Sequence, residues 1–262
     1  MYESYAAVYD AIGQGRLGAQ LAGWALAWRA ARAEPPRRVL DLACGTGEAA
    51  LVFARAGCAV VGVDRSHAVL EIARGKARDA GLAIEFAECD IRELEPRRPQ
   101  EAPDPARAAW LALRASHFDL AVSFYDSLNY LTADGDLDRV FGGVAAALRP
   151  GGWWIFDLNT EAVFLAHDEC DLVTYDSPAL LVYNRLSYDR GARLGTGRIV
   201  WFVREIDRWW RGEETHTERV WPGDDVAAAL ERNGLTLVAQ LEPGGAPAGA
   251  AAHRVIFLAH KR

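Results

Sequence analysis

Residues 39–50 read VLDLACGTGEAA, in which a short apolar run leads into two glycines and then into residues that favour a helix. A glycine turn between a strand and a helix lets backbone N–H groups come close to a ligand. Gly45, Gly47 and Ala50 fit the pattern G-x-G-x-x-A, and Asp64 follows Gly45 by 19 residues. An acid at that distance is suited to accept hydrogen bonds from ribose hydroxyls, so the segment predicts a site for a nucleoside-containing cofactor.

A second carboxylate, Asp41, lies four residues before Gly45, at the end of the predicted strand. The glycine pattern alone also suits NAD, or a tight turn that needs glycine only for its backbone angles. A carboxylate at this position would repel a pyrophosphate but would pair with the ammonium of an amino-acid moiety. Because S-adenosylmethionine has that ammonium and no phosphate, Asp41 favours it over a dinucleotide.

The elements that position these residues alternate between strand and helix over the first 160 residues, which predicts an α/β fold with a parallel sheet and helices on its faces. The predicted strands are 39–43, 59–64, 84–90, 118–124 and 149–159, and the predicted helices are 17–33, 48–56, 66–80 and 134–148.

The pattern changes in the second half of the chain. Residues 171–221 alternate with the two-residue period of antiparallel strands, and a helix follows at about 223–233. Two further strands, LTLVAQLE and HRVIFLAHK, surround a loop at 243–252. Residues 95–109 are rich in proline and charge, so we expect an exposed insertion there.

Composition restricts the class of partner. The 262 residues are 51% hydrophobic and have a formal net charge of −7, so they lack the basic surface that nucleic-acid binding requires. No basic segment precedes an apolar core at the N-terminus, and no apolar run reaches the roughly 18 residues of a membrane span. We therefore expect a cytoplasmic protein that acts on a small molecule. The four cysteines lie far apart and predict neither disulfides nor a metal site.

Five segments resemble, in order and spacing, the motifs of class I S-adenosylmethionine-dependent methyltransferases, over about residues 37–160. They read VLDLACGTG, VVGVDRSHAVLEIAR, FAECDIREL, FDLAVSFYDSLNYL and LRPGGWWIFDLN. The resemblance implies a Rossmann-like seven-stranded sheet whose last strand is antiparallel. It also implies S-adenosyl-L-methionine as the cofactor.

The resemblance further implies a role for each matching position. Asp41 would lie near the methionine end, Gly45 and Gly47 under the cofactor, and Asp64 on the ribose. The remaining implied contacts are Asp90 and Ile91 at the adenine, Ser123 and Phe124 at the floor of the site, and Ala43 and Arg65 beside the cofactor. Two alternatives stay open: Asp90 as the cap of the following turn, and Phe124 as a core residue.

The flanking segments are similar to deoxysugar amine N-methyltransferases and related small-molecule enzymes. They read YESYAAVYDAIGQGR, DSLNYL and GEETHTERVWPGDDVAAALERNGL. This similarity implies a small antiparallel β lid at 161–221, inserted after strand five into a domain formed by 1–160 and 222–262. It also places an N-terminal tyrosine, Tyr2 or Tyr9, at the methyl-donor pocket. The sugar enzymes have a histidine in the loop after strand four, where this chain has Tyr130.

Methyl transfer mainly requires alignment of the acceptor and control of one proton. The candidates for that proton are Tyr130, Asp126 and His216, and we expect Tyr130 and His216 to face the acceptor from opposite sides. A competing interpretation makes His216 and its charged neighbours a solvated strand face. The predicted function is methylation of a small-molecule amine or hydroxyl by a monomer or homodimer. The alternatives are an NAD-dependent oxidoreductase and a non-catalytic cofactor-binding homologue.

Overall fold

The computed structural model describes residues 5–32, 35–94 and 117–262. The predicted insertion at 95–109 and Tyr2 lie outside the described residues. Eleven strands are described in these ranges. They are β1 (Arg38–Leu42), β2 (Ala59–Asp64), β3 (Ile84–Glu88), β4 (Phe118–Ser123), β5 (Leu148–Asn159), β6 (Cys170–Asp176), β7 (Leu180–Asp189), β8 (Leu194–Glu205), β9 (Arg208–Arg219), β10 (Leu235–Leu241) and β11 (Arg254–Lys261).

The larger sheet has seven strands in the order β10-β11-β5-β4-β1-β2-β3. The strands from β5 to β3 run parallel, whereas β11 is antiparallel to both β5 and β10. The predicted α/β class, the seven strands and the antiparallel final strand are therefore confirmed.

Helices cover both faces of this sheet, because alternate side chains of each buried strand point to opposite sides. In β5, Trp154 and Phe156 pack with α5 and α7, whereas Ile155 packs with α2 and α3. The helices are α1 (Ala6–Ala11), α2 (Arg16–Ala30), α3 (Glu48–Arg55), α4 (His67–Asp79), α5 (Asp136–Ala147), α6 (Glu161–Ala166) and α7 (Gly223–Arg232).

A second sheet, antiparallel and four-stranded, has the order β6-β7-β8-β9. Its apolar side packs against α1, where Tyr5 and Val8 join Val182 of β7 and Trp201 of β8 in one buried cluster. The short helix α1 also contacts the larger domain, because Asp10 pairs with Lys76 of α4 and accepts a hydrogen bond from the Thr46 hydroxyl. Within the described residues, no helix is long and apolar enough to span a membrane.

Candidate active site

The strand order reverses between β1 and β4, and a cleft opens at the carboxyl ends of these two strands. Open parallel sheets bind their ligands at such a point. The cleft encloses about 1060 Å³, including space open to solvent. Ten predicted site residues line it: Tyr9, Asp41, Ala43, Gly45, Asp64, Arg65, Asp90, Ile91, Phe124 and Tyr130.

The glycine turn forms the floor of this cleft. Gly45 and Gly47 have φ angles of 53° and 82°. These values lie in the left-handed region, where the backbone of residues other than glycine is strained. A Cβ added at Gly45 would meet no atom within 4 Å, whereas one at Gly47 would lie 3.0 Å from Ala73 Cβ. Gly45 therefore borders open space, and Gly47 packs under the turn without lining the cleft.

The Asp64 carboxylate fixes this turn. Its Oδ2 accepts a hydrogen bond from the Gly45 backbone N–H at 2.9 Å, and its Oδ1 accepts one from the Ser66 backbone N–H at 2.9 Å. Asp64 thereby joins the ends of β1 and β2. Its carboxylate lies at the cleft, where the sequence predicts that it accepts hydrogen bonds from a ribose.

Asp41 and Ser123 place two buried polar groups at the ends of β1 and β4. The Asp41 side chain is 2% exposed, and its Oδ2 finds no hydrogen-bond partner among the described residues. The same holds for Ser123 Oγ, which is fully buried and does not line the cleft. Burial, together with the nearby Asp64 charge, raises the pKa of Asp41 to about 8. Because buried polar groups are normally paired, Asp41 fits a cationic ligand group.

The opposite wall of the cleft is a strained turn after β4. Tyr125 and Asp126 both have positive φ angles, 62° and 51°, which cost on the order of 1–3 kcal/mol each in non-glycine residues. Asp157 of β5 holds the turn by accepting the backbone N–H groups of both residues, at 2.7 and 3.0 Å. Arg254 of β11 pairs with Asp126 and Asp157 and lies over the Tyr125 ring.

A second cavity of about 870 Å³ lies between this turn and the four-stranded sheet. Tyr125 and Tyr130 line both the cleft and the cavity, so the two spaces meet at these residues. The other polar residues around it are Gln14, Asp126, Asn159, His167, Asn184, Ser187, Thr196, His216 and Glu218.

Tyr130 and His216, which we expected on opposite sides of the acceptor, are in direct contact. The Tyr130 hydroxyl and His216 Nδ1 are 2.8 Å apart, and His216 Nε2 lies 3.4 Å from a Glu214 carboxylate oxygen. That expectation is wrong because β9 carries its 214, 216 and 218 side chains on the face that closes over the post-β4 turn. His216 is 4% exposed, so the alternative of a solvated strand face is also wrong. Burial lowers the pKa of His216, which keeps the imidazole neutral.

Other candidates have structural contacts of their own. Asp126 pairs with Arg254 at 2.8 Å and is thus engaged rather than available as a base. Asp90 caps the turn after β3 by accepting the Arg92 backbone N–H at 2.9 Å, and its carboxylate also pairs with the Arg92 guanidinium. Its predicted contact with adenine stays a prediction. The tryptophans of the small sheet line neither the cleft nor the second cavity. Trp201 is buried in the apolar cluster with Tyr5 and Val8, and Trp209 and Trp210 are half exposed.

Comparison with known proteins identifies the catalytic class. Residues 39–152 match the family model described as "Methyltransferase domain". A relative from Bacillus subtilis (strain 168), "Putative methyltransferase YqeM", is 28% identical over 250 residues, which cover 90% of this chain and 87% of that protein. The chain is an S-adenosylmethionine-dependent methyltransferase.

Solved structures show the same fold for the methyltransferase. A crystal structure of an S-adenosylmethionine-dependent methyltransferase from Clostridium acetobutylicum ATCC 824 covers 99% of this chain and 98% of its own, with 24% identity and a TM-score of 0.82. CalS10, an amino pentose methyltransferase from Micromonospora echinaspora with bound cofactor, covers 97% of both chains with 19% identity and a TM-score of 0.72. Both likenesses extend over the small sheet as well as the large one.

The cleft of the methyltransferase fits its cofactor in two respects. The unpartnered Asp41 oxygen suits the ammonium of the methionine moiety, and the open space over Gly45 admits a ligand against the backbone. The Asp41 carboxylate would repel a pyrophosphate, which agrees with the family match and counts against the dinucleotide-dependent oxidoreductase.

Several residues of the second cavity were not among the site residues predicted from the sequence. Glu218, Asn159 and Asn184 line it, and Arg254 with Asp157 holds its wall. A signal existed for Asp157, which ends the predicted fifth strand in IFDLN, and for Glu218, which shares the strand face of His216. For Asn184 and Arg254 the sequence carries no such signal, because their roles arise only when β7 and β11 are placed in their sheets.

Proposed function

We propose that the methyltransferase methylates an amine or hydroxyl group of a small molecule held in the second cavity. One observation carries this proposal: the cavity meets the cofactor cleft at Tyr125 and Tyr130, so an acceptor there would adjoin the methyl donor. A volume of about 870 Å³ is in the range of small-molecule sites. CalS10, which shares the fold, is named as an amino pentose methyltransferase.

The proposal assigns residues 161–221 as a lid on the domain formed by 1–160 and 222–262. Strands β7, β8 and β9 supply the outer wall of the second cavity through Asn184, Gly197 and His216. Gly197 pairs directly with His216 in the sheet register, and the Leu186 side chain packs against it. The lid excludes water from the acceptor, which strengthens the electrostatic interactions within the cavity.

The cofactor supplies an electrophilic methyl group on a sulfonium. The chain itself binds its ammonium through Asp41, supports its ribose at Asp64 and offers the Gly45 backbone beneath it. The further proposed cofactor contacts are Tyr9, Ala43, Arg65, Asp90, Ile91 and Phe124, which also line the cleft. Since these groups only bind and orient, the proton of the acceptor must be handled elsewhere.

Tyr130 and His216 are the proposed catalytic pair. Glu214 beside Nε2 favours the tautomer with its proton on that nitrogen, and Nδ1 then accepts from the Tyr130 hydroxyl. In this arrangement the tyrosine side chain borders the cavity, and the neutral imidazole behind it has capacity for one proton. The pair is thus suited to accept a proton from an acceptor amine or hydroxyl.

An assay with methyl-labelled cofactor over a panel of small amines and alcohols tests the function. If Tyr130 and His216 handle the proton, His216→Ala and Tyr130→Phe lower kcat roughly 10²- to 10⁴-fold with S-adenosylhomocysteine affinity unchanged. His67→Ala, at an exposed histidine paired with Glu88, is the matched control and keeps wild-type rates. A raised KM with kcat retained would assign the pair to positioning instead. The absence of transfer to every acceptor by the wild type would count against the function.

A further inference from the structure

The second cavity has an excess of negative groups over positive ones. Asp126, Asp157 and Glu218 surround the post-β4 turn, and Arg254 is the cation that faces them. The Arg254 guanidinium forms ion pairs with both Asp126 and Asp157. The carboxyl of Glu218 therefore has no cation of its own among the described residues.

Glu218 lies where an acceptor would touch it. It is two residues from His216 on the same face of β9, so both side chains point into the cavity. Its carboxylate accepts one long hydrogen bond, from Asn159 Nδ2 at 3.4 Å. The opposing residue of β8 is Gly195, and the Phe164 ring packs against it where a side chain would otherwise lie. A carboxylate accepts up to about four hydrogen bonds, so most of its capacity is unused among the described residues.

The side-chain oxygen of Asn184 also lacks a hydrogen-bond donor among the described residues. Asn184 of β7 lines the cavity, and its Oδ1 is buried without a hydrogen-bond partner among the described residues. A buried acceptor without a donor is costly, so its partner is expected from a ligand. Glu218 and Asn184 both require donors, and Glu218 in addition requires positive charge.

We propose that Glu218 selects amine acceptors by pairing with their ammonium group, with Asn184 accepting a further hydrogen bond from the same molecule. This inference rests on the proposed function and narrows its substrate class from amines and alcohols to amines. An ammonium supplies the donors and the charge that Glu218 needs, whereas a hydroxyl supplies one donor and no charge. Glu218 is thus a specificity-determining residue, and proton transfer is left to Tyr130 and His216.

The surroundings of Glu218 make its ionisation dependent on that ammonium. It is faced by His216 of its own strand, by Tyr125 and Asp126 of the post-β4 turn, and by further groups of other elements. These are Asp157 and Asn159 of β5, Arg254 of β11 and His167 after α6. Burial, together with the Asp126 charge, raises the pKa of Glu218 to about 8, although Asn159 and Arg254 each act to lower it. An ammonium in contact would favour the carboxylate, so its binding near pH 7 releases a proton.

Matched probes test this selection directly. Cyclohexylamine and cyclohexanol have nearly the same shape and differ in charge, and each is titrated into protein saturated with S-adenosylhomocysteine. The wild type is expected to bind the ammonium about tenfold or more tightly than the alcohol. Glu218→Gln is expected to bring the two affinities within about threefold. Glu205→Gln, an exposed acid of the same sheet, keeps the wild-type preference.

Infrared difference spectra give a readout that a merely structural role would not move. The carboxylic-acid band of Glu218 near pH 7 should disappear when cyclohexylamine binds, persist with cyclohexanol, and be missing from Glu218→Gln. If the wild type shows no preference for the ammonium, through equal binding or no binding of both probes, the inference is wrong. If S-adenosylhomocysteine itself does not bind, the proposed function fails first, so the two failures are distinguishable.

Discussion

The cofactor cleft and the second cavity adjoin, yet they are assembled from the chain in different ways. The cleft takes most of its polar groups from three short segments at strand ends, residues 41–48, 64–65 and 89–92. The cavity collects between one and four residues from each of β5, β7, β8, β9 and α6, and others from the loops after α1, β4 and α6. The comparison suggests that a common cofactor is held by local motifs, whereas an acceptor is recognised by contacts that form only in the folded chain.

The wall shared by the two spaces is where we expect one substitution to have the largest effect. Asp157→Asn removes a fully buried charge that holds the strained turn and pairs with Arg254. Breaking a buried, hydrogen-bonded ion pair costs about 3–5 kcal/mol, so urea unfolding should show a loss of that size. Asp138→Asn, in an exposed pair with Arg232, should change the unfolding free energy far less. Equal losses in the two variants would remove the special role of the shared wall.

The glycine turn separates an effect on the cleft from an effect on stability alone. Both Gly45→Ala and Gly47→Ala place a side chain at a positive φ angle, at a cost of roughly 1–2 kcal/mol. Only the Gly45 methyl enters the open space of the cleft, so its variant should lose tenfold or more in S-adenosylhomocysteine affinity by calorimetry. Gly47→Ala should be destabilised by its contact with Ala73 yet keep most of that affinity. The reverse ranking would place the cofactor elsewhere.

Asp41 predicts how cofactor binding depends on pH. Its pKa of about 8 means that free protein holds the proton below pH 8, while a bound ammonium favours the carboxylate. Affinity for S-adenosylhomocysteine should therefore rise from pH 6 to 8, by at most about tenfold per pH unit, with up to about one proton released. Calorimetry in buffers of different ionisation enthalpy measures this release. Asp41→Asn should bind more weakly and without the slope. A flat wild-type profile would exclude Asp41 as the ammonium partner.

Much of the larger sheet could be predicted because its determinants are local. The apolar run before Gly45 gave β1, the acid at Asp64 marked the end of β2, and the proline pair after Arg32 ended α2. The two-residue alternation of side-chain character over residues 171–221 likewise predicted antiparallel strands. These signals depend on neighbouring residues, whose backbone preferences and burial the sequence states directly.

The second cavity was only partly predictable for the opposite reason. Tyr130 and His216 were identified as candidates, but their contact depends on how β9 packs over the post-β4 turn, across 86 residues of chain. The pairing of Arg254 with Asp126 spans 128 residues. No periodicity records such a contact, so a residue like Asn184 becomes recognisable only from its orphaned oxygen in the fold.

A crystal structure with bound S-adenosylhomocysteine would show whether the cleft binds the methyl donor and the adjoining cavity is left for the acceptor. We expect density in the cleft with the ammonium at Asp41 and the ribose at Asp64. The sulfur should face the junction at Tyr125 and Tyr130, and the cavity beyond it should stay free for an acceptor. Density for S-adenosylhomocysteine in the second cavity, or an ammonium placed away from Asp41, would contradict these assignments of the cleft and the cavity.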